Sequence, residues 1–257
     1  MQTTKTIMLS LVSDGVETTI NATRNSDGSC PSASGARPLV IFDYDDTLCP
    51  SSWIEHHRLR NQNAAFPQNG REDLGLIDAA AHRCVSAAIE TGAHVMVITN
   101  AESGWVELSA ARFLPRLLLL LGQLKVVSAR SAYEKFFPSN PVCWKAAAFA
   151  HEANELWKGG NALIVPQQRA ILSLGDSHEE RIAVKIAAEL LGATCKSVKL
   201  VQYSSPLEMS RQLDTVTSSM QCMLADAKPI DLGLQRPYFQ IEGFCVGDYL
   251  GLIQVDS

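Results

Sequence analysis

The chain has 257 residues, 27 acidic side chains against 22 Lys and Arg, a net charge of −5 and an apolar fraction of 46%. That length suits one domain, or one domain with a small insert, and the apolar fraction is ample for a packed core. The acidic balance, with no large basic cluster, argues against a broad nucleic-acid surface, and no apolar run reaches membrane-spanning length.

Residues 1–37 are rich in Ser, Thr, Asn, Asp and Gly and read as a flexible extension, most plainly from Asn25 to Gly35. The apolar stretch after Lys5 is too brief for a signal-peptide core. Met8 to Val12 adds an edge strand or belongs to the tail. Seven cysteines without a C-x-x-C pair point to a reducing compartment and mostly buried thiols, so the expected location is the cytoplasm.

Pro38 to Phe42 carries no charge and reads as a strand buried on both faces. Three carboxylates follow in four positions: Asp43, Asp45 and Asp46. Packed at a strand end they repel one another unless a positive charge sits among them. A hard divalent cation with oxygen ligands, Mg²⁺ above all, meets that need. A plain Asp-rich turn is the other reading. Cys49 to Arg71 is irregular, with Trp53, His56, His57, Arg58 and Arg60. Adjacent residues share no face of a helix or strand, so His56 and His57 make a poor chelate. They read as a solvated face or a substrate-facing flap.

Leu74 to Thr91 has apolar residues at helical spacing and stops at Gly92. Ala93 to Ile98 is a second buried strand, ending in Thr99-Asn100. A hydroxyl there holds an anion's oxygen or caps the next helix, expected to begin near Glu102. Trp105 to Phe113 predicts a helix with Val106, Leu108 and Phe113 inward and with Trp105 in the core. Pro115 breaks it and Leu117 to Leu121 resume it. Leu124 to Val127 is a third strand, and Ser128 to Pro141 a loop with one helical turn at most. Val142 to Trp157 is helical, with Lys145 near its start, where a cation is mildly disfavoured and wants a partner.

After a Gly159-Gly160 turn, Arg169 to Leu174 is a fourth strand. Gly175-Asp176 and an acid-rich helix start through Glu180 follow it. Ile182 to Leu191 is a helix ended by Gly192, Ser197 to Gln202 a fifth strand, and Pro206 to Ala225 a helix. In the tail, Tyr238 to Ile241 is a candidate strand. Strands alternating with helices over 38–257 predict an α/β, doubly wound parallel sheet. Its polar clusters follow three different strands, whose C-terminal ends can share one crevice.

The stretch Ile41-Phe42-Asp43-Tyr44-Asp45-Asp46-Thr47-Leu48 resembles motif I of the haloacid dehalogenase-like (HAD) superfamily, an apolar strand followed by D-x-D-x-T. Thr99 stands where that family has its motif II hydroxyl, and Lys145 where it has its motif III lysine, with Lys135 competing. Gly175-Asp176 with Glu180 resembles motif IV. The resemblance covers residues 38–202 and implies a Rossmann-like core, capless or with a minimal cap.

Residue by residue, the resemblance implies that Asp43 is a nucleophile that becomes an aspartyl-phosphate and that Asp45 is the general acid and base. It implies Mg²⁺ held by the Asp43 carboxylate, the Asp45 main-chain carbonyl and Asp176, with Thr99 and Lys145 binding the transferring phosphoryl group. Asn100 and Glu180 fall beside the phosphate or behind the direct ligands. Glu180 stands where the family often has Asp, so contact with a metal-bound water, with Lys145 or with Arg181 stays open.

Asp45 favours phosphomonoester hydrolysis, because the family's pumping ATPases have Thr there and its dehalogenases lack the Asp. The expected activity is a Mg²⁺-dependent phosphatase. Its substrate would be a phosphorylated small molecule or, since the cap is small, a phosphoprotein. A phosphotransferase or phosphomutase, and a non-catalytic binding module, are the alternatives. No nucleic-acid or membrane partner is expected.

Overall fold

The computed structural model describes residues 37–61, 63–158 and 169–236, with short strand pieces at 12–13, 16–17 and 253–255. The linker reading of Asn25–Gly35, the Gly159-Gly160 turn and the expected Tyr238–Ile241 strand lie outside the described residues. So does the expected Met8–Val12 strand, except Val12. Val12–Ser13 (β1) pairs antiparallel with Val16–Glu17 (β2).

Leu39–Phe42 (β3) is an interior strand of the main sheet, and all four of its side chains are fully buried. A strand with neighbours on both edges and helices on both faces leaves nowhere to solvate a charge, and this run has none. The chain then alternates. Ser51–His56 (α1) and Gly70–Glu90 (α2) lead to His94–Thr99 (β4). Trp105–Phe113 (α3) and Pro115–Leu121 (α4) lead to Lys125–Ser128 (β5). Ala129–Tyr133 (α5) and Pro141–Lys158 (α6) lead to Ala170–Gly175 (β6). His178–Leu191 (α7) connects to Thr194–Lys199 (β7), and Pro206–Ala225 (α8) to Ile230–Leu234 (β8).

Strands β3 to β8 are parallel, in the order β5-β4-β3-β6-β7-β8, and Ile253–Val255 (β9) adds antiparallel to β8. The chain first builds outward on one side of β3 and then on the other. The crevice between β3 and β6 is therefore the topological switch point, where α/β sheets bind ligands.

The two-residue period of β3 divides the core into two layers. Val40 and Phe42 pack with α2, α3, α4 and α8. Leu39 and Ile41 pack with α6 and α7. Each fully buried side chain of this size stabilises the fold by about 1.5–3 kcal/mol. The doubly wound α/β sheet expected from the alternation is the architecture observed. No described helix is long and apolar enough to cross a membrane.

Four local expectations need correction. Helix α2 starts at Gly70 rather than Leu74, because Asn69 turns left-handed (φ 61°) and the Gly70 N–H bonds the Pro67 carbonyl at 2.9 Å. Its first turn is polar, so apolar spacing could not reveal it. Leu108 is 70% exposed; the buried face of α3 is Val106, Ser109, Ala110 and Phe113. The irregular stretch after Cys49 contains α1, and the tail contains β8. Of the five described cysteines, all free, Cys49 and Cys84 are buried and the other three half-buried.

Strand β8 is tied to α7 by Asp231. Its Oδ1 accepts from Arg181 Nε at 2.6 Å and its Oδ2 lies 2.7 Å from Lys185 Nζ. Burial by itself would raise this carboxyl, but the two cations hold it below its ordinary value of 3.8. The stabilisation is therefore present above that value and lost as pH falls through the lower folded-state value. Asp231→Asn is expected to cost about 1–2 kcal/mol at neutral pH, the scale of lost charged hydrogen bonds. Urea midpoints of the two proteins should converge on acidification; a gap that widens would contradict this account.

Candidate active site

The site is built from the C-terminal ends of three adjacent strands. Phe42 pairs with Val97 of β4 and Leu174 of β6, so Asp43, Thr99 and Gly175-Asp176 emerge at one edge. The Asp43 N–H extends the pairing by donating to the Leu174 carbonyl at 2.8 Å. Side chains alternate through the turn that follows. Tyr44 is fully buried, and its hydroxyl meets Ser109 Oγ of α3 at 2.8 Å. Asp43 and Asp45 line the cleft. The turn closes tightly: the Leu48 and Cys49 N–H groups both donate to the Tyr44 carbonyl at 2.9 Å. Asp46 is left-handed (φ 52°), and its carboxylate accepts from the Ser52 N–H at 2.8 Å and from the Ser52 hydroxyl. Asp46 thus fastens the turn to α1.

Lys145 enters from the first turns of α6. Its side chain is 2% exposed, and its Nζ lies 2.7 Å from Asp43 Oδ1 while also bonding Glu180 Oε1. Two carboxylates flank one ammonium, so burial, which would lower the lysine, is outweighed and Lys145 is held above its ordinary value. Glu180 is doubly used. Ser177 caps α7, and Glu180 Oε2 accepts from the Ser177 N–H at 2.9 Å and from its hydroxyl, completing a capping box. Lys135, the competing candidate, is exposed beside the Phe136 ring. Burial raises Glu180, but the Lys145 charge and these hydrogen bonds win and hold it below its ordinary value.

Gly175 is required by this packing. A Cβ built there would lie 2.4 Å from Glu180 Cγ. Gly175→Ala is expected to push Glu180 off Lys145 and to lower stability by about 1–3 kcal/mol, the usual cost of overpacking. A thermal melt checks this. An alanine variant as stable as the parent would show that Glu180 moves aside freely.

Carboxylate oxygens of Asp43, Asp176 and Glu180 lie within 4.8 Å of one another. Burial raises Asp43 well above its ordinary range, Lys145 opposes the rise, and Glu180 and Asp45 add to it. Burial likewise pushes Asp176 up to about 7, with the Glu180 and Asp46 charges adding to it. Crowded, dehydrated acids of this kind fit a hard cation such as Mg²⁺, since every donor is an oxygen and the added charge removes the repulsion. The Asp45 side chain stands apart from this group. Its Oδ2 accepts from Thr99 Oγ1 at 3.0 Å, and its Oδ1 accepts from Trp105 Nε1 at 2.8 Å and from the Ser51 hydroxyl.

Thr99 does not cap a helix. Its Oγ1 also accepts from the Ala101 N–H at 3.0 Å, and α3 starts only at Trp105, behind a left-handed Gly104. Asn100 lines the cleft, with its Nδ2 3.4 Å from the Pro141 carbonyl and its buried Oδ1 without a partner among the described residues. The structure thus brings Asp43, Asp45, Thr99, Asn100, Lys145, Asp176 and Glu180 to one cleft of about 630 Å³. That volume is typical of small-molecule sites.

The histidine pair stays out of it. His56 is exposed and His57 Nδ1 lies 2.9 Å from the Trp53 carbonyl. Arg60 from the same stretch does line the cleft. Trp105, expected in the core, packs half-buried against it, and its ring also lines the cleft, with its indole N–H on Asp45. Apolar spacing could not separate those two fates, because an indole is apolar except at one atom. Ser51 gave no signal in sequence either.

No family model matches this chain, and no curated protein matches it. Among solved structures it is similar to a HAD family hydrolase from Deinococcus radiodurans R1, crystallised with bound phosphate and sodium. The identity is 14% and the TM-score 0.39, over 75% of this chain and 99% of that one. At that level no residue role transfers, and the chemistry of the cleft is read from its own side chains.

Proposed function

We propose that this protein is a Mg²⁺-dependent phosphatase of the HAD type, hydrolysing phosphomonoesters through an aspartyl-phosphate on Asp43. The observation that carries the reading is the meeting of Asp43, Asp45, Lys145 and Asp176, from three separate pieces of chain, at the switch point of the sheet.

Asp43 and Asp176 would hold the cation, together with the Asp45 main-chain carbonyl that the motif I resemblance assigns. When bound, Mg²⁺ supplies positive charge for the phosphoryl oxygens and offsets the crowded carboxylates. Asp43 attacks phosphorus as the bond to the leaving oxygen breaks, and Asp45 gives that oxygen its proton. Asp45 then takes a proton from water as the water attacks phosphorus. The bond to Asp43 breaks and inorganic phosphate leaves. Lys145 neutralises Asp43 before the attack and the phosphoryl oxygens during it. Thr99, whose hydroxyl donates to Asp45 here, would turn that hydroxyl to the same phosphoryl group.

Among the described residues between Asp46 and Thr99, Arg60, in the turn after the six-residue α1, is the one that lines the cleft. Such a cover leaves room for a phosphorylated side chain on a protein as well as for a small phosphomonoester. Release of p-nitrophenol from p-nitrophenyl phosphate, measured with Mg²⁺ and after chelation, tests the reading. The expected result is turnover with Mg²⁺ and none after chelation. A folded, Mg²⁺-loaded protein that hydrolyses nothing in a broad phosphate panel would point to a binding module instead.

A further inference from the structure

We infer that Trp105 is a positioning residue for Asp45, deciding which of its two carboxylate oxygens carries the catalytic proton; this rests on the acid/base reading of Asp45 above. Oδ1 receives two donors, the Trp105 indole N–H at 2.8 Å and the Ser51 hydroxyl. Oδ2 receives one, from Thr99 at 3.0 Å. Each carboxylate oxygen offers two acceptor sites. Both sites of Oδ1 are therefore taken, and one site of Oδ2 is open. An indole nitrogen only donates and cannot turn its hydrogen aside, unlike a hydroxyl. A proton on Oδ1 would have to break that bond, so the proton rides on Oδ2.

The indole is itself fixed. Gly104, with φ 89°, turns the chain so that Trp105 becomes the first residue of α3. The Arg60 guanidinium lies over the ring at 4.4 Å from its centroid. Arg60 is held in turn by Glu55 at 2.8 Å, and its main-chain carbonyl accepts from Arg112 Nη1 at 2.7 Å. The turn after α1 is thereby fastened to α3 across the ring that holds Asp45. Pinning one oxygen keeps the other aimed at the reacting group, and general acid catalysis is sensitive to that aim.

The test uses Trp105→Phe, which leaves an aromatic ring beneath Arg60 but removes the indole N–H. Two substrates separate the acid step from general damage. An alkyl phosphomonoester such as glycerol phosphate has a leaving oxygen that needs the proton, whereas p-nitrophenolate leaves without it. The kcat/KM value covers events up to departure of the leaving group, so the shared hydrolysis of the aspartyl-phosphate does not blur the comparison. Trp105→Phe is expected to lower kcat/KM about 10–100-fold for glycerol phosphate and less than about threefold for p-nitrophenyl phosphate. Ser51→Ala is expected to show the same split in milder form.

A readout independent of turnover is the indole N–H resonance that Trp105→Phe removes from the nitrogen–proton spectrum. In Asp45→Ala it is expected to move upfield and to exchange faster with water. Equal losses for both substrates, or an indole signal indifferent to Asp45→Ala, overturn the assignment while leaving the phosphatase reading in place. A wild type inactive on both substrates overturns the phosphatase reading, and this assignment with it.

Discussion

Asp43→Asn is expected to remove turnover by at least about 10³-fold, because loss of a nucleophile leaves only binding and charge stabilisation. The amide keeps the shape of the carboxyl and its place at the end of β3, where its backbone N–H continues the pairing with β6. It cannot attack phosphorus, and it removes a charge from the cation site. The same change relieves the fold. Burial raises the Asp43 carboxyl, and Glu180 and Asp45 add to that rise, so the carboxylate is tolerated there chiefly through Lys145. In the variant Lys145 keeps Glu180 as its partner. Asp43→Asn is therefore expected to be at least as stable as the wild type while inactive, the pattern of a site that trades stability for function. Acid quenching with labelled substrate is expected to trap phosphoprotein from the wild type and none from the variant. Turnover by Asp43→Asn at the wild-type rate would falsify the assigned nucleophile.

Lys145→Met is expected to fail in both respects at once. Its ammonium is enclosed by Asp43 and Glu180 with almost no exposure to water. Methionine fills much of the same volume but leaves two dehydrated carboxylates facing each other. Removing one partner of a buried ion pair costs about 3–5 kcal/mol. Turnover is expected to fall about 10²–10³-fold, the range for losing one fixed charge or donor at a developing anion. Stability and chemistry can be separated by adding Glu180→Gln to Lys145→Met. The second change removes one of the two unpaired charges, so it is expected to restore part of the melting temperature and none of the activity. If Lys145→Met melts like the wild type, the ammonium is not the keystone of this cluster.

Much of the fold was legible because its cause is local. The uncharged run before Asp43 required a doubly covered strand, and the structure gives β3 two strand neighbours and a helical layer on each face. Helix α8 begins where Ser205, Pro206 and Glu208 form a capping box with proline at the start, and α7 ends at a left-handed Gly192. Other elements leave no local signal. The polar first turn of α2 has no apolar period. Strand β8 has a glycine, Gly233, in its interior and an ion-paired Asp231, so it did not resemble a buried strand.

The site divides along the same line. Covalent order and side-chain period were enough to give the alternation of strands and helices through β7 and the carboxylates at the ends of β3 and β6. The partners of those carboxylates came from long-range packing. Packing placed Lys145 rather than Lys135 beside Asp43, joined Glu180 to that lysine, and gave Trp105, at the edge of the core, a second use as a donor to Asp45. Hydrogen bonds and ion pairs depend on ångström-scale approach between elements far apart in the chain, such as Asp43 and Lys145, which lie 102 residues apart. Neither the spacing nor the composition of either segment carries that distance; it is set by how α6 and α3 pack against the sheet.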